Sequence, residues 1–467
     1  MTPRAGATVP KAARSTDRTV TGLSVQDGSM DTTEPARTYD VTGDVVEHCQ
    51  QLIRFDTSNY GDGSGPGERK AAEYVADVLS RAGLEPAIIE HAPGRTNVLA
   101  RWEGADPDAA PLLVHGHLDV VPAQAADWSV DPFGGEVVDD YVFGRGAVDM
   151  KDFDAMVLSV VAARQAAGVR PRRPVVLAFT ADEEAGSRQG AHRLVENQAE
   201  WFEGCTEAVG EVGGFSTEVG GRRLYLVESG EKGIAWLRLT ATGTAGHGSM
   251  RHPDNAVSAL ARAIVAIAGH EWPVQPGDAM QQLLHTVRDL TAATTGDPDE
   301  LIASFGPAAR MIGAGIRNTT NPTMLRAGYK ANVVPGEAVG HVDGRFLPGQ
   351  RDMFVEQVRA LAGPGITIDI DVEDIALETP FEGDLVDAMT MSLLAEDPEA
   401  HVAPFLMSGG TDAKAWDRLG IRSFGFTPLR LPADLDFTAL FHGVDERVPI
   451  DALHFGARVL DRFLDQA

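Results

Sequence analysis

The stretch LLVHGHLDVVPA, Leu112–Ala123, opens with a short apolar run and places ionisable side chains where that run ends. A continuous apolar run of this length is typical of a strand buried on both faces of a parallel sheet. His115, His117 and Asp119 therefore lie at the carboxyl end of a predicted strand. Because ligands and catalytic groups gather at that edge of open α/β sheets, this stretch predicts both a fold class and the place of a site.

Segments of strand and helix character alternate on both sides of this stretch. Amphipathic helical spacing begins at Val45, and the apolar runs TNVLARW and PVVLAFT have strand character. This alternation predicts an α/β layer with a largely parallel, buried sheet. From about Glu231 the pattern changes, because GIAWLRLTATGTA and EAVGHVDGRFL alternate apolar and polar residues as half-exposed strands do. We therefore predict a smaller α+β unit inserted into the α/β domain.

The chain of 467 residues is longer than one hydrophobic core usually organises, which favours two to three domains. We predict a disordered tail over residues 1–37, because this segment is polar and lacks apolar periodicity. The first part of the α/β domain is then expected at 38–230, the insert at 231–348 and the second part of the α/β domain at 349–467.

Composition excludes several classes of partner. A formal net charge of -28 argues against nucleic-acid binding, which needs clustered Lys and Arg. No apolar stretch approaches the roughly 18 to 20 residues of a membrane-spanning helix, so we expect no membrane partner. The two cysteines, Cys49 and Cys205, lack the paired spacing of a disulfide framework, and a cytoplasmic location fits best.

Further acids and one histidine of ligand type lie elsewhere in the chain, and the acids of TADEE and GEVGG follow apolar runs as the opening stretch does. Histidines with carboxylates and no cysteine suit Zn²⁺, with Co²⁺ or Mn²⁺ as substitutes. Two histidines and three acids can hold two ions if one carboxylate bridges them, and such a pair supports hydrolysis by an activated water. The additional groups are Asp149 in GRGAVDMKD, Asp182, Glu183 and Glu184 in TADEE, Glu211 in GEVGG and His442 in FHGVDERV.

The motifs together carry a family resemblance. In this order, HGHLDVVP, GRGAVDMK, TADEEAGS, GEVGG, GTAGHGSMRHPDNA, NVVPGEAVGHVDGRFLPG, SGGTDA and FHGVDERV resemble the M20 family of dinuclear zinc peptidases and amidohydrolases. That family includes glutamate carboxypeptidase, acetylornithine deacetylase, succinyl-diaminopimelate desuccinylase, aminoacylase-1 and carboxypeptidase S. The resemblance runs from about Val45 to the C-terminus. It implies a zinc-peptidase catalytic domain with a ferredoxin-like insert that mediates homodimerisation.

The resemblance also implies a ligand set for two zinc ions. His117 and Glu211 would bind one ion, and Glu184 and His442 would bind the other. Asp149 would bridge the two.

Other residues take catalytic and substrate-binding roles by the same resemblance. Glu183 matches the general base, and Asp119 matches the residue that steadies His117. His247 matches a histidine that reaches the partner subunit's active site and polarises the scissile carbonyl. The residues that match substrate-holding positions are Asn332, Arg345 and the loop Gly409, Gly410 and Thr411.

We therefore predict a hydrolase that cleaves a peptide or N-acyl amide bond next to a free carboxylate, with a small peptide or N-acyl amino acid as substrate. One alternative is a biosynthetic deacylase, such as a succinyl-diaminopimelate desuccinylase or acetylornithine deacetylase. A remote alternative is an inactive relative that acts as a binding or scaffold protein. The chain departs from the family pattern at Asp152, where glycine is usual, and the charge of this residue is a candidate influence on a bound water.

Overall fold

A computed structural model describes residues 37–467, so the predicted tail lies outside the described residues except for Arg37. Helices in the described part are α1 Val45–Arg54, α2 Arg69–Arg81, α3 Lys151–Ala167, α4 Ala191–Asn197, α5 Ala256–Ala268, α6 Asp278–Thr291, α7 Pro298–Ala303, α8 Ala309–Gly313, α9 Arg351–Ala362, α10 Asp384–Glu396, α11 Ala413–Asp417 and α12 Ile450–Gln466. Strands are β1 Ala87–Ala92, β2 Arg95–Trp102, β3 Leu112–His117, β4 Glu136–Val138, β5 Tyr141–Phe143, β6 Val175–Thr180, β7 Glu207–Gly210, β8 Phe215–Val219, β9 Arg222–Glu231, β10 Gly233–Thr242, β11 Gly246–His247, β12 Thr319–Ala327, β13 Val333–Val334, β14 Glu337–Phe346, β15 Ile366–Asp374, β16 Leu377–Glu378, β17 His401–Met407, β18 Arg422–Gly425 and β19 Arg447–Pro449.

The largest sheet is built around β3, the strand predicted from the opening stretch. Its order is β1-β2-β6-β3-β7-β18-β9-β16, and β8 and β17 pair with β9. The central strands β6, β3, β7 and β18 are parallel, whereas β1, β2, β8 and β16 join antiparallel. The α/β class is confirmed, but this sheet is mixed and not largely parallel. The reason is local, because the short turns between β1 and β2 and between β8 and β9 allow only antiparallel pairing.

Three neighbouring parallel strands bring their carboxyl ends to one edge. β3 ends at His117, β6 at Thr180 and β7 at Gly210, with β3 in the middle. The acids that follow these strands therefore meet beside His117. Helix α3, which begins two residues after Asp149, packs against β3, α1 and α12. Its residues 151–161 are all buried, so this helix supports the site from inside the core.

A second, four-stranded antiparallel sheet has the order β12-β14-β10-β15. Its strands and helices follow the chain order β10, α5, β12, β14, α9, β15, so the first strand lies between the fourth and the third. This is the ferredoxin-like arrangement that the family resemblance implied. Helices α5 and α9 pack on each other, and the core includes Leu237, Leu260 and Phe354, whose ring stacks on Trp272 at 5.0 Å between centroids.

The small sheet draws on chain beyond the predicted insert. Strand β15 follows the predicted junction at Pro348 and pairs along β10. Conversely, α6 lies within residues 231–348 but packs on β17, where Met280 and Leu283 join the main core. The predicted domain limits stay predictions, and the strand pairing is the observation that bears on them. None of the described helices has both the length and the apolar character needed to cross a membrane.

Candidate metal centre

The predicted metal ligands His117, Asp149, Glu184, Glu211 and His442 form one cluster through contacts between their side chains. His117 is almost fully buried within it. Its Nδ1 lies 2.9 Å from the main-chain oxygen of Asp119, a position that suits an N–H donor. That tautomer leaves Nε2 with a free lone pair. Nε2 lies 3.1 Å from Asp149 Oδ1 and 3.1 Å from Glu211 Oε2, so a coordinating nitrogen faces two carboxylates.

Asp149 lies between the two histidines. While Oδ1 faces His117, the other oxygen, Oδ2, lies 3.3 Å from His442 Nε2. His442 Nε2 is also 3.2 Å from Glu184 Oε2. The two oxygens of one carboxylate therefore point into two neighbouring groups of ligand-type atoms. This is the arrangement that a bridging carboxylate needs.

The adjacent glutamates point to different neighbours. They open a short 3-10 turn, Glu183–Ala185. Glu184 turns toward His442, whereas Glu183 Oε2 lies 4.0 Å from His117 Nε2. The Asp119 carboxylate accepts hydrogen bonds from both main-chain N–H groups of this pair, at 3.0 and 3.2 Å. Asp119 thus contacts His117 through its main chain and the glutamate turn through its side chain.

Charge in this cluster is poorly balanced without cations. Burial raises the pKa of Glu211 to about 8. Burial alone would lower the pKa of His117, but Glu211 and Asp149 raise it well above its usual range. Hydrogen bonds to Asp149 and Glu184 raise the pKa of His442 to about 10.

The residues fit divalent cations. The donor atoms of His117, Asp149 and Glu184 lie within 4.8 Å of one another, and so do those of His117, Glu183 and Glu211. Within the described chain no lysine or arginine forms an ion pair with these four acids. Buried carboxylates that lack a cationic partner are costly, and nitrogen with oxygen donors suits Zn²⁺, Co²⁺ or Mn²⁺.

The predicted substrate residues of the insert lie apart from this cluster. His247 is exposed, and its Nδ1 lies 2.8 Å from Ser249 Oγ. Asn332 accepts a hydrogen bond from Gly248 through its main-chain oxygen, and the next residue, Val333, pairs with His247, so Asn332 lies beside His247. Arg345 forms a two-point ion pair with Asp343, at 2.7 and 3.1 Å. Among the described residues we find no ion pair or hydrogen bond from these three to the metal-ligand group.

The Gly409, Gly410 and Thr411 loop follows β17 and is held by the chain beneath it. Thr411 donates its main-chain N–H to Glu231 at 3.1 Å, and its hydroxyl also bonds to that carboxylate. A Cβ on Gly410 would come within 2.6 Å of Lys414 Nζ, so the loop passes close to this side chain. The next residue, Asp412, accepts hydrogen bonds from Thr180, the last residue of β6, and from Ser187 further along the chain. The loop is therefore tied to the strand edge that carries the cluster.

Sequence reasoning missed a pair that supports the cluster. Arg145 and Glu446 form a buried ion pair at 2.6 Å. Arg145 also donates to the main-chain oxygen of His442 at 3.3 Å, and Glu446 accepts from the N–H of Val148 at 2.9 Å. The pair links the segment before Asp149 to the loop of His442. Both residues are charged positions inside the quoted motifs GRGAVD and FHGVDERV, which was a usable signal.

Asp152 is fully buried and neither carboxylate oxygen has a hydrogen-bond partner. Burial raises the pKa of Asp152 well above its usual range, and Glu446 and Asp149 reinforce this. The proposed charge on Asp152 is therefore suppressed, because the neutral acid is favoured.

Comparisons with known proteins identify the family of this chain. The family model described as Peptidase family M20/M25/M40 matches residues 113–466. The N-fatty-acyl-amino acid synthase/hydrolase PM20D1 of Xenopus tropicalis is 27% identical over 441 residues, which cover 88% of this chain and 83% of that protein. Human aminoacylase-1 is 26% identical over 407 residues, which cover 84% of this chain and 89% of that protein.

A solved structure supports the fold. The M20 family metallo-carboxypeptidase Sso-CP2 from Sulfolobus solfataricus superposes with a TM-score of 0.70. The match covers 90% of this chain and 98% of that chain at 19% sequence identity, so it bears on the fold alone.

Proposed function

This chain belongs to peptidase family M20/M25/M40, and from that premise we propose that it cleaves a peptide or N-acyl amide bond next to a free carboxylate. It is a metallohydrolase of the peptidase and aminoacylase type. The observation that carries the proposal is the position of Asp149, whose two oxygens lie 3.1 Å from His117 Nε2 and 3.3 Å from His442 Nε2.

We propose that the centre holds two Zn²⁺ ions. His117 and Glu211 would bind one ion, Glu184 and His442 the other, and Asp149 both. The contacts of Asp149 with both histidines, of His117 with Glu211 and of His442 with Glu184 support this assignment. When bound, a pair of divalent cations polarises the scissile carbonyl and makes a water more acidic.

Glu183 is the proposed general base. Its carboxylate lies farther from His117 Nε2 than those of Asp149 and Glu211, which leaves it available for proton transfer. Burial raises the pKa of Glu183 well above its usual range, and this suits a group that takes a proton and returns it. Glu183 would accept a proton from the attacking water and deliver it to the departing amine nitrogen. Asp119 would keep the glutamate turn in place.

Groups outside the cluster would bind the substrate. We propose that Arg345 and Asn332 hold the substrate carboxylate, and that the Gly409–Thr411 loop cradles its backbone. The guanidinium of Arg345 already binds Asp343 with two hydrogen bonds, so it is preset for a planar carboxylate. A substrate would compete with Asp343 for it. His247 would act on the carbonyl in the partner subunit's site.

A homodimer through the insert is part of this proposal. Strand β12 is the edge of the small sheet, and its residues 321–327 are exposed. Leu325 on this strand is 54% exposed, and Tyr329 just beyond it is 84% exposed. Exposed apolar side chains on an edge strand, here Met324 and Leu325, favour contact with another chain.

The names of the relatives favour N-acyl amino acids within the proposed substrate class. Both PM20D1 and aminoacylase-1 are named for chemistry at N-acyl amino acids. A desuccinylase or acetylornithine deacetylase remains the alternative within the same reaction type. Hydrolysis of N-acetyl and N-long-acyl amino acids, dipeptides and N-succinyl-diaminopimelate by the zinc-loaded enzyme separates these candidates.

Glu183→Gln tests the mechanism. Loss of the general base should lower kcat by roughly 10²- to 10⁴-fold, while bound zinc stays at the parent level. Glu184→Gln is the matched control, because loss of a proposed ligand should instead weaken zinc binding. Substantial turnover by Glu183→Gln would reject Glu183 as the base. Zinc loss in Glu183→Gln would reassign this residue as a ligand.

A further inference from the structure

The polar segment 57–59, which is outside the proposed site, lies beside the two residues that flank Asp119. The hydroxyl of Thr57 donates to the main-chain oxygen of Leu118 at 2.7 Å. Val120 donates its N–H to the oxygen of Thr57 at 3.2 Å, and Asn59 donates its N–H to the oxygen of Val120 at 2.9 Å. These bonds fix the register of the segment, so the side chain of Asn59 has a defined place beside Asp119.

The carboxamide of Asn59 joins two buried acids. Its Nδ2 donates to Asp119 Oδ2 at 2.9 Å and to Asp182 Oδ1 at 3.0 Å. Asp119 and Asp182 belong to different strand ends, and both are buried. An amide nitrogen carries two hydrogens and no charge, so it holds two carboxylates together without neutralising either. Asn59 itself is only 4% exposed.

The orientation of this amide is set from the other side. Its Oδ1 accepts from Arg95 at 2.8 Å and from the N–H of Gly61 at 3.0 Å. Arg95 is anchored by an ion pair with the buried carboxylate of Glu68. Every hydrogen-bonding position of the amide is therefore used, and a flipped amide would place donors against donors.

Both acids control the turn that carries Glu183 and Glu184. Asp119 accepts the N–H groups of these two residues, and Asp182 immediately precedes them and accepts from the N–H of Gln189 at 3.1 Å. A change at Asn59 is thus two hydrogen bonds away from the proposed base and from one proposed ligand.

We infer that Asn59 is a positioning residue, which holds Asp119 and Asp182 together and so sets the place of the Glu183 and Glu184 side chains. This inference rests on the proposed function for its catalytic consequence. Removal of partners that orient metal ligands typically lowers activity or metal affinity by about 10- to 100-fold.

Two substitutions test the inference on the full-length, zinc-loaded protein. Asn59→Asp keeps the shape of the side chain but turns both donors into an acceptor, and Asn59→Ala removes both hydrogen bonds. Each should lower kcat by about 10- to 100-fold, with KM changed by less than about threefold. Each should also lower the affinity for zinc, measured in competition with a chelator, by about tenfold or more, because Glu184 shifts.

Gln165→Glu is the matched control. Gln165 bonds to Trp102 and to the main chain of Ala82 and has no contact with the cluster, so kcat and zinc retention should match the parent. If Asn59→Asp and Asn59→Ala lower only the melting temperature while kcat and zinc affinity stay within about twofold, Asn59 is merely structural and the inference is wrong. If the parent hydrolyses none of the proposed substrates, the proposed function fails, whereas zinc retention still tests Asn59.

Discussion

At the scale of single residues, the centre depends on which nitrogen of each histidine is free. Nδ1 of His117 is hydrogen-bonded to the main-chain oxygen of Asp119, so Nε2 is the nitrogen that faces Asp149 and Glu211. This contact could not be predicted from HGHLD alone, because the sequence does not show that the main chain of Asp119 folds back. The sequence predicted that Asp119 steadies His117, but not that the main-chain oxygen of Asp119 makes the contact.

Metal binding should release protons. In the metal-free protein the pKa of His442 is about 10 and that of Glu211 about 8, so both groups carry protons at pH 7. A cation binds only the deprotonated forms, and zinc affinity should therefore rise with pH from about 6 toward 10, by up to about tenfold per pH unit for each proton released. Calorimetric titration of zinc in buffers of different ionisation enthalpy measures the number of protons. Equal affinity at pH 6 and pH 8 with no proton release would contradict this account.

At the scale of helices and strands, the strand ends explain why part of the site was predictable. His117, Glu184 and Glu211 follow three adjacent parallel strands, and the rule for carboxyl ends places them together. His442 follows no strand of that sheet. It lies in a loop with a φ of 57°, and only the resemblance connected it to the cluster. Asn59 was missed because its segment has neither apolar periodicity nor a recognised motif.

Strand β15 shows a signal that was present but unused. Its sequence ITIDIDVED alternates strictly, and its burial alternates in the same way. Such alternation predicts a half-exposed strand, although sequence alone does not identify β10 as its partner more than 120 residues away. The packing of α6 on the main sheet was unpredictable for a similar reason, since an apolar helix face does not specify which domain covers it.

The edge strand β12 leads to a prediction about assembly. Leu325→Lys places a charge on the exposed edge and should weaken dimerisation by at least about tenfold, or about 1.4 kcal/mol. Sedimentation at several protein concentrations measures the change. Met391→Lys is the control, because Met391 is 52% exposed on α10 of the main unit and should leave association unchanged. Equal association of both variants and the parent would place the interface elsewhere or exclude a dimer.

At the scale of the whole molecule, the two larger sheets carry different parts of the proposed function. The mixed sheet carries the candidate metal ligands at one edge, and the antiparallel sheet carries Arg345 on β14 and the exposed strand β12. His247 lies on β11, which pairs with β13 in a separate two-stranded sheet. Glu231 ends β9 and Gly233 begins β10, so one residue, Lys232, separates the sheets here. Lys232 donates to Arg317 and Thr319 where the chain crosses again, at 2.8 and 3.0 Å. The buried side chain of Lys232 therefore links the two sheets.

The central claim is that five side chains far apart in the chain bind two cations, and that Asp149 is the one that binds both. Anomalous diffraction at the zinc edge, from crystals grown with zinc, tests it most directly. The account predicts two peaks about 3.5 to 4 Å apart, one beside His117 and Glu211, the other beside Glu184 and His442, with Asp149 contacting both. A single peak, or zinc that does not contact Asp149, would contradict the account.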